Sequence, residues 1–300
     1  MTLDRTVAVL GAGNIGSALI SGLLEAKAIK PDKLVAADIS ETQLAAIAKK
    51  HKIRVLQGGN REAAEQAGVI VLAVKPYLAG EVVGEIHDVL RPGQILISVA
   101  AGVSIEFLEG RLRKAKAETK PTPQAAARHS AALRSKDPGL AGQPVIRAMP
   151  NIAMTVHASA TALCANATAG SEHRQIAEQI FQSVGTVAWV TEDKMHAVTG
   201  LSGSGPAYVY LMLEGLTAGG VNMGLPPDVA RALAEQTLLG AAKLAQQSND
   251  HPAALRDRVT TPGGTTIAGL AELERYGVRS ALMEAVEAAT ERSRQLSSKL

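Results

Sequence analysis

Short apolar runs alternate with longer segments of helical periodicity over the first half of the chain. VAVLG (7–11), LVAAD (34–38), VIVLAV (69–74), QILISVA (94–100) and PVIRAM (144–149) are brief and mostly rich in β-branched residues. Between them lie helical patterns at Ser17–Lys27, Glu41–His51, Arg61–Gln66, Leu78–Leu90 and Ile105–Leu112. This alternation predicts a doubly wound α/β domain, a mainly parallel sheet with helices on both faces. After Val190 the text becomes Ala- and Leu-rich with helical spacing, punctuated by GLPP (224–227), HP (251–252) and PGG (262–264). The second half is therefore expected to be all-helical.

Residues 113–143 fit neither pattern. They carry seven basic residues, Arg113, Lys114, Lys116, Lys120, Arg128, Arg134 and Lys136, against two acids, mixed with Pro, Ala, Ser and Gln. Such a composition buries little apolar surface and predicts a solvated surface insertion.

The first strand runs into the chemistry. Gly11, Gly13 and Gly16 stand in G-x-G-x-x-G spacing between an apolar run and a helical one. Gly11 allows the tight turn, Gly13 lets the backbone approach a pyrophosphate, and Gly16 lets helix and strand pack closely. The freed N–H groups of the helix N-terminus then face the anion, and Ala12, Asn14 and Ile15 join the three glycines as expected cofactor-binding residues. Asp38 closes the next apolar stretch, 22 positions after Gly16, where an acid can hold a ribose 2′-OH. The expected partner is a dinucleotide.

The helical half holds a second constellation. VTGLSGSGPAYVYLMLEGL (198–216) places small residues at a helix start, and RVTTPGGTTIAGLAELE (258–274) sets two Thr pairs around Pro262-Gly263-Gly264. Free backbone N–H groups, hydroxyls and a helix dipole together suit a small carboxylate. An ordinary capped loop would carry the same residue types, so on spacing alone both readings stand.

Composition narrows the classes. The chain of 300 residues is 46% hydrophobic and 20% charged, ordinary for a globular enzyme. No apolar run reaches the roughly 18 residues of a membrane span, and MTLDR is not a secretory h-region, so a cytoplasmic location is expected. The formal charge of +3 could suit nucleic acid, but with 2% aromatic residues there is no stacking platform. Cys164, the single cysteine, reads as a small buried apolar residue and leaves no multi-cysteine metal site.

The segments VAVLGAGNIGSALISGL, LAVKP (72–76), SVAAG (98–102), RAMPN (147–151), TGLSGSGPAY (199–208), GAAK (240–243), HP (251–252) and TTPGGTTIAGLAELE (260–274), taken in order, resemble the pyrroline-5-carboxylate reductases. The resemblance implies reduction of 1-pyrroline-5-carboxylate to L-proline by NAD(P)H, without a metal. It implies a dinucleotide-binding domain over 1–192 and a helical substrate-binding and dimerisation domain over 193–300. It places Asn60 and Ala73, Val74, Lys75 and Pro76 on the ribose and nicotinamide side, with Ala100, Ala101 and the turn at Asn151 beside the nicotinamide. It assigns Thr261, Gly264, Thr265 and Thr266 to the substrate carboxylate, gives Thr266 and Thr261 the catalytic positions, and sets Glu192 near that pocket.

The chain departs from the family pattern in places. Ile152-Ala153 follow MPN where Thr-Pro is common, His157 stands near a usual Gly, Thr261 replaces a frequent Ser, and segment 113–143 is usually much shorter. No histidine is required by the implied chemistry, so His157, His196 and His251 are read as packing or surface residues. Two rival readings are a 3-hydroxyacid dehydrogenase, which would need Lys194 or Lys243 in a G-x-x-x-K helix start that neither occupies, and a nucleotide-binding regulator without turnover, against which the intact TTPGGTT loop argues.

Overall fold

The computed structural model describes residues 3–118 and 142–298, so most of segment 113–143 lies outside the described residues. The chain divides into two compact units, Met1–Gly203 with Thr290–Leu300, and Ser204–Ala289.

The first unit is built on β1 (Val7–Leu10), β2 (Leu34–Asp38), β3 (Arg54–Gln57), β4 (Val69–Leu72), β5 (Ile95–Ser98), β6 (Val145–Met149), β7 (Ser159–Ala165) and β8 (Gly185–Trp189). Their order is β3-β2-β1-β4-β5-β6-β7-β8. Pairing is parallel throughout except between β6 and β7, so the last two strands run against the other six.

Alternation along each strand fills two apolar layers. Val7, Val9, Val69, Val71, Ile95 and Ile97 face one side, while Ala8, Leu10, Ile70, Leu72 and Leu96 face the other. On the first side lie α1 (Asn14–Glu25) with Leu19, Ile20 and Leu23, and α2 (Glu41–His51) with Leu44 and Ile47. A further helix there, α6 (Ser171–Gln182), buries Ile176, Ala177, Ile180 and Phe181. On the second side α3 (Asn60–Gln66), α4 (Ala79–Ile86) and α5 (Ile105–Glu118) bury Ala63, Val83, Ile86 and Leu108. Each buried Val, Leu or Ile contributes about 1.5–3 kcal/mol, which makes this double layer the main stabilising term of the unit.

Helix α5 continues six residues past Leu112, into the start of the segment read as a polar insertion. RKAKAE is polar, yet Arg, Lys, Ala and Glu are strong helix formers. Strands β3, β7 and β8 and helix α6 add to the elements that periodicity marked.

A one-turn helix α7 (Met195–Val198) and a π-helical turn (Thr199–Gly203) close the first unit before the helical one. The second unit comprises α8 (Gly205–Asn222), α9 (Pro227–Gln247), α10 (Pro252–Arg258), α11 (Thr265–Arg275) and most of α12 (Val278–Ser297). None of its helices is long and apolar enough to cross a membrane, and the same holds for every helix among the described residues.

Candidate active site

Strand order sets the location of the cleft. The chain steps outward from β1 to β2 and β3, then returns to place β4 on the other side of β1. The two connections leave in opposite directions and open a crevice at the carboxyl ends of β1 and β4, the topological switch point where doubly wound sheets bind ligands.

The three glycines of this crevice do different work. Gly11 has φ of +103°, and a Cβ there would stand 2.5 Å from the Ala73 carbonyl oxygen, so the turn after β1 can pass the end of β4 only with glycine. At Gly16 a Cβ would overlap the Gly11 carbonyl, which fixes how closely α1 folds back on the loop. Gly13 is the opposite case: it caps α1 without a side-chain hydrogen bond, and nothing lies within 4 Å of its absent Cβ. The opening helix start therefore presents unpaired N–H groups to a space that a side chain would fill, a cradle that fits a pyrophosphate.

Asp38 at the end of β2 binds this loop from below. Its Oδ2 accepts from the Ala12 N–H at 2.6 Å and its Oδ1 from the Ser40 N–H at 2.8 Å. The Ser40 hydroxyl in turn accepts from the Gln43 N–H and caps α2. The Ser40 amide is thus committed to Asp38, its hydroxyl oxygen serves as an acceptor, and Ile39 beside it is exposed and uncharged.

The remaining predicted cofactor residues line the same sheet edge. Ala73 to Pro76 follow β4, with Ala73 N–H donating to the Leu10 carbonyl at 2.7 Å and Lys75 exposed at the start of a 3₁₀ turn. Ala100 and Ala101 follow β5, the first buried and the second exposed. Asn60 opens α3 and its amide donates to Glu85 at 2.9 Å. Asn151 follows β6, and its side chain is engaged at both ends: Oδ1 accepts from the Ala153 N–H at 3.1 Å, and Nδ2 donates to the Ser202 carbonyl at 3.0 Å.

Glu192, half-buried, pairs with a buried arginine that periodicity did not mark. Its Oε1 accepts from the Ile105 N–H at 2.7 Å, which caps the start of α5, and from Arg147 Nη1 at 3.3 Å. Arg147 is 3% exposed, and its Nη2 has no hydrogen-bond partner. The signal was present in PVIRAM as a lone cation inside an apolar strand. Across the β6–β7 ladder lies Cys164, whose thiol is pushed up to about 12, chiefly by burial and further by the Glu192 charge. His196 is held below the usual histidine range by burial and then by Arg147 and Arg294. His196 hydrogen-bonds Ser293 at 3.0 Å, and Cys164 is buried.

In the second unit, Thr261, Gly264, Thr265 and Thr266 form one small cradle. Gly264 caps α11 in extended backbone and donates to the Thr261 carbonyl at 3.0 Å. A Cβ on Gly264 would overlap Thr261 Oγ1, so the missing side chain lets that hydroxyl lie over the helix start. With no side-chain cap, the first N–H groups of α11 remain available to an anion. Among the described residues no group of three or more His, Cys, Asp or Glu side chains could hold a metal ion.

Residues 6–102 match the family model described as NADP oxidoreductase, coenzyme F420-dependent. Sheet order, glycine loop and this match define a dinucleotide-binding oxidoreductase. Residues 192–296 match the model for pyrroline-5-carboxylate reductase dimerisation. The pyrroline-5-carboxylate reductase of Synechocystis is 39% identical over 97% of this chain and 98% of its own length, and that of Methanosarcina acetivorans 36% identical over 99% of both. Among solved structures, a pyrroline-5-carboxylate reductase from Coxiella burnetii superposes with a TM-score of 0.85 at 33% identity, covering 98% of this chain and 99% of that one. The Plasmodium falciparum enzyme, determined with NADP bound, gives 0.79 at 29% identity over 99% and 100%. The chain belongs to the pyrroline-5-carboxylate reductase family.

Proposed function

We infer that this protein reduces the cyclic imine 1-pyrroline-5-carboxylate to L-proline, using a nicotinamide dinucleotide. The observation that carries the reading is the full-length likeness to reductases of this name, joined to two separate anion cradles in one chain. The first, at Gly11 to Gly16, suits a dinucleotide pyrophosphate. The second, at Thr261 to Thr266, suits a small carboxylate.

A bound reduced nicotinamide supplies hydride to the imine carbon, while the ring nitrogen keeps the proton that makes the carbon electrophilic. The chain's own contribution is placement. Gly13 and the first N–H groups of α1 hold the dinucleotide by its phosphates; Ala73 to Pro76, Ala100, Ala101 and the Asn151 turn line the nicotinamide side. The N–H groups of Thr265 and Thr266 take the carboxylate, and the Thr266 and Thr261 hydroxyls orient the ring. Holding two reactants in register can supply most of a rate enhancement of this kind, so no strong general base is required. Glu192 serves this reading through Arg147 and the start of α5 as well as by charge.

The adenosine end favours NADH at least as well as NADPH. A 2′-phosphate would meet the Asp38 carboxylate, with the Ser40 amide already donating to it and no cation at Ile39. Steady-state kinetics with both nicotinamides against 1-pyrroline-5-carboxylate test the reaction and the preference together. No turnover of the imine would refute the activity; a large kcat/KM advantage for NADPH would refute the preference. The working form in this reading is a cytoplasmic homodimer or a larger even-numbered assembly.

A further inference from the structure

The N-terminal edge of the sheet carries a cavity that this chemistry leaves unused. It measures about 400 Å³ and is lined by Leu24, Lys27, Ile29, Lys30, Pro31, Lys50 and His51. It lies at the far end of α1 from the glycine loop, and a 12-residue helix is about 18 Å long, so the two sites do not merge.

Charge in the cavity is unbalanced. Glu25 approaches Lys50 only to 3.9 Å and is held more closely by His157, whereas Lys27 and Lys30 have no carboxylate within salt-bridge distance among the described residues. His51 contacts the Ser21 hydroxyl at 2.9 Å, and burial, then the Lys50 charge, keeps it below the usual histidine range. Basic residues in the last turn of α2 complement that helix dipole, which accounts for Lys50 and His51. It does not account for Lys30, which precedes Pro31 outside any α-helix. Lys27 adopts a left-handed backbone, φ 53°, at a helix end where glycine is the unstrained choice.

We propose that this cavity is a second anion site, for a small phosphate-bearing molecule with an apolar body. Compact lysine ammonium groups suit phosphate oxygens, and Leu24, Ile29 and Pro31 offer an apolar floor. The volume falls within the range of small-ligand pockets. The proposal is independent of the reaction assigned to the opposite edge.

The test is binding of labelled inorganic pyrophosphate to enzyme already carrying one NADH per chain and held in saturating L-proline, so that the glycine loop and the Thr261–Thr266 cradle are both filled. The expected result is saturable binding of one equivalent, weakened at least tenfold in Lys27→Gly/Lys30→Ala and less than twofold in Lys49→Ala, whose lysine lies on α2 outside the cavity. Lys27→Gly alone should not lower the melting temperature, because it relieves the left-handed residue, which separates lost binding from lost folding. Phenyl phosphate should bind several-fold tighter than inorganic phosphate. Absence of saturable binding, or equal weakening in Lys49→Ala, would overturn the site; equal affinity of phenyl and inorganic phosphate would overturn the apolar body.

Discussion

The two units solve the burial problem in opposite ways. In the first, half of α1 is buried and both sheet faces are covered by helices of the same chain. In the second, α8 buries none of its 18 residues and α9 only Ala230 and Ala234, although α8 carries Leu, Val and Met and α9 four leucines. Leu211, Leu216, Met223, Leu233, Leu244 and Met283 all stand exposed. One unit is a finished core; the other is an unfinished one. Apolar helices that stay uncovered within a chain are covered by another copy, in keeping with the dimerisation model that spans this region.

The sharpest way to break this contrast is a charge on the uncovered face. Leu211→Asp should convert the assembly to monomers and abolish turnover, since burying an unpaired carboxylate twice across a two-fold interface costs far more than the leucine contributes. Light scattering at assay concentration checks it, and an active monomer would refute the link between association and activity.

Within the first unit, the glycines separate folding from binding. Gly16→Ala forces a Cβ into the Gly11 carbonyl and should destabilise the unit by several kcal/mol, or prevent folding. Gly13→Ala meets no protein atom, so it should leave the melting temperature nearly unchanged while raising the KM for the dinucleotide at least tenfold. Equal loss of stability in both variants would show that Gly13 is structural too.

The second unit offers the matching test of its own cradle. Thr266→Ala should cost about 1–3 kcal/mol of transition-state binding, seen in kcat/KM for the imine, with little change in dinucleotide KM. Unchanged kcat/KM would remove Thr266 from the site.

The smallest effect is expected at His157, near which the family resemblance implies a glycine. The reason is visible: His157 is the left-handed cap of a 3₁₀ turn, φ 56°. Its ring contacts Glu25 at 2.7 Å, and that hydrogen bond, ahead of the charge, holds the Glu25 carboxyl below its ordinary range. A depressed carboxyl stabilises the folded state above its unfolded pKa and loses that contribution as pH falls through its folded pKa. His157→Gly removes a left-handed residue costing about 1 kcal/mol but also removes this contact. The variant should therefore gain stability more in acid than at neutral pH, as chemical denaturation at both would show; a gain that is larger at neutral pH would refute the balance.

What was legible follows from how strongly each element declares itself. Strands β1, β2, β4, β5 and β6 are buried apolar runs, and the glycine loop and TTPGGTT cradle lie in contiguous text. By contrast β3, RVLQ, is a partly exposed edge strand with polar ends, and β7, SATALCA, is built from small residues with little apolar contrast. Side-chain commitments were also hidden: the Asp38–Ala12 hydrogen bond and the Arg147–Glu192 pair join residues far apart in sequence, which no local pattern encodes.

The end of α12 has a bearing on how the protein is made. Ser293 meets His196 at 3.0 Å and the Ser297 hydroxyl donates to the Gly102 carbonyl, so Thr290–Leu300 belongs to the first unit although the whole of Ser204–Ala289 intervenes. On the ribosome, the nucleotide-binding half thus emerges with a seam that its own last residues must later cover. At usual elongation rates that wait lasts roughly five to twenty seconds.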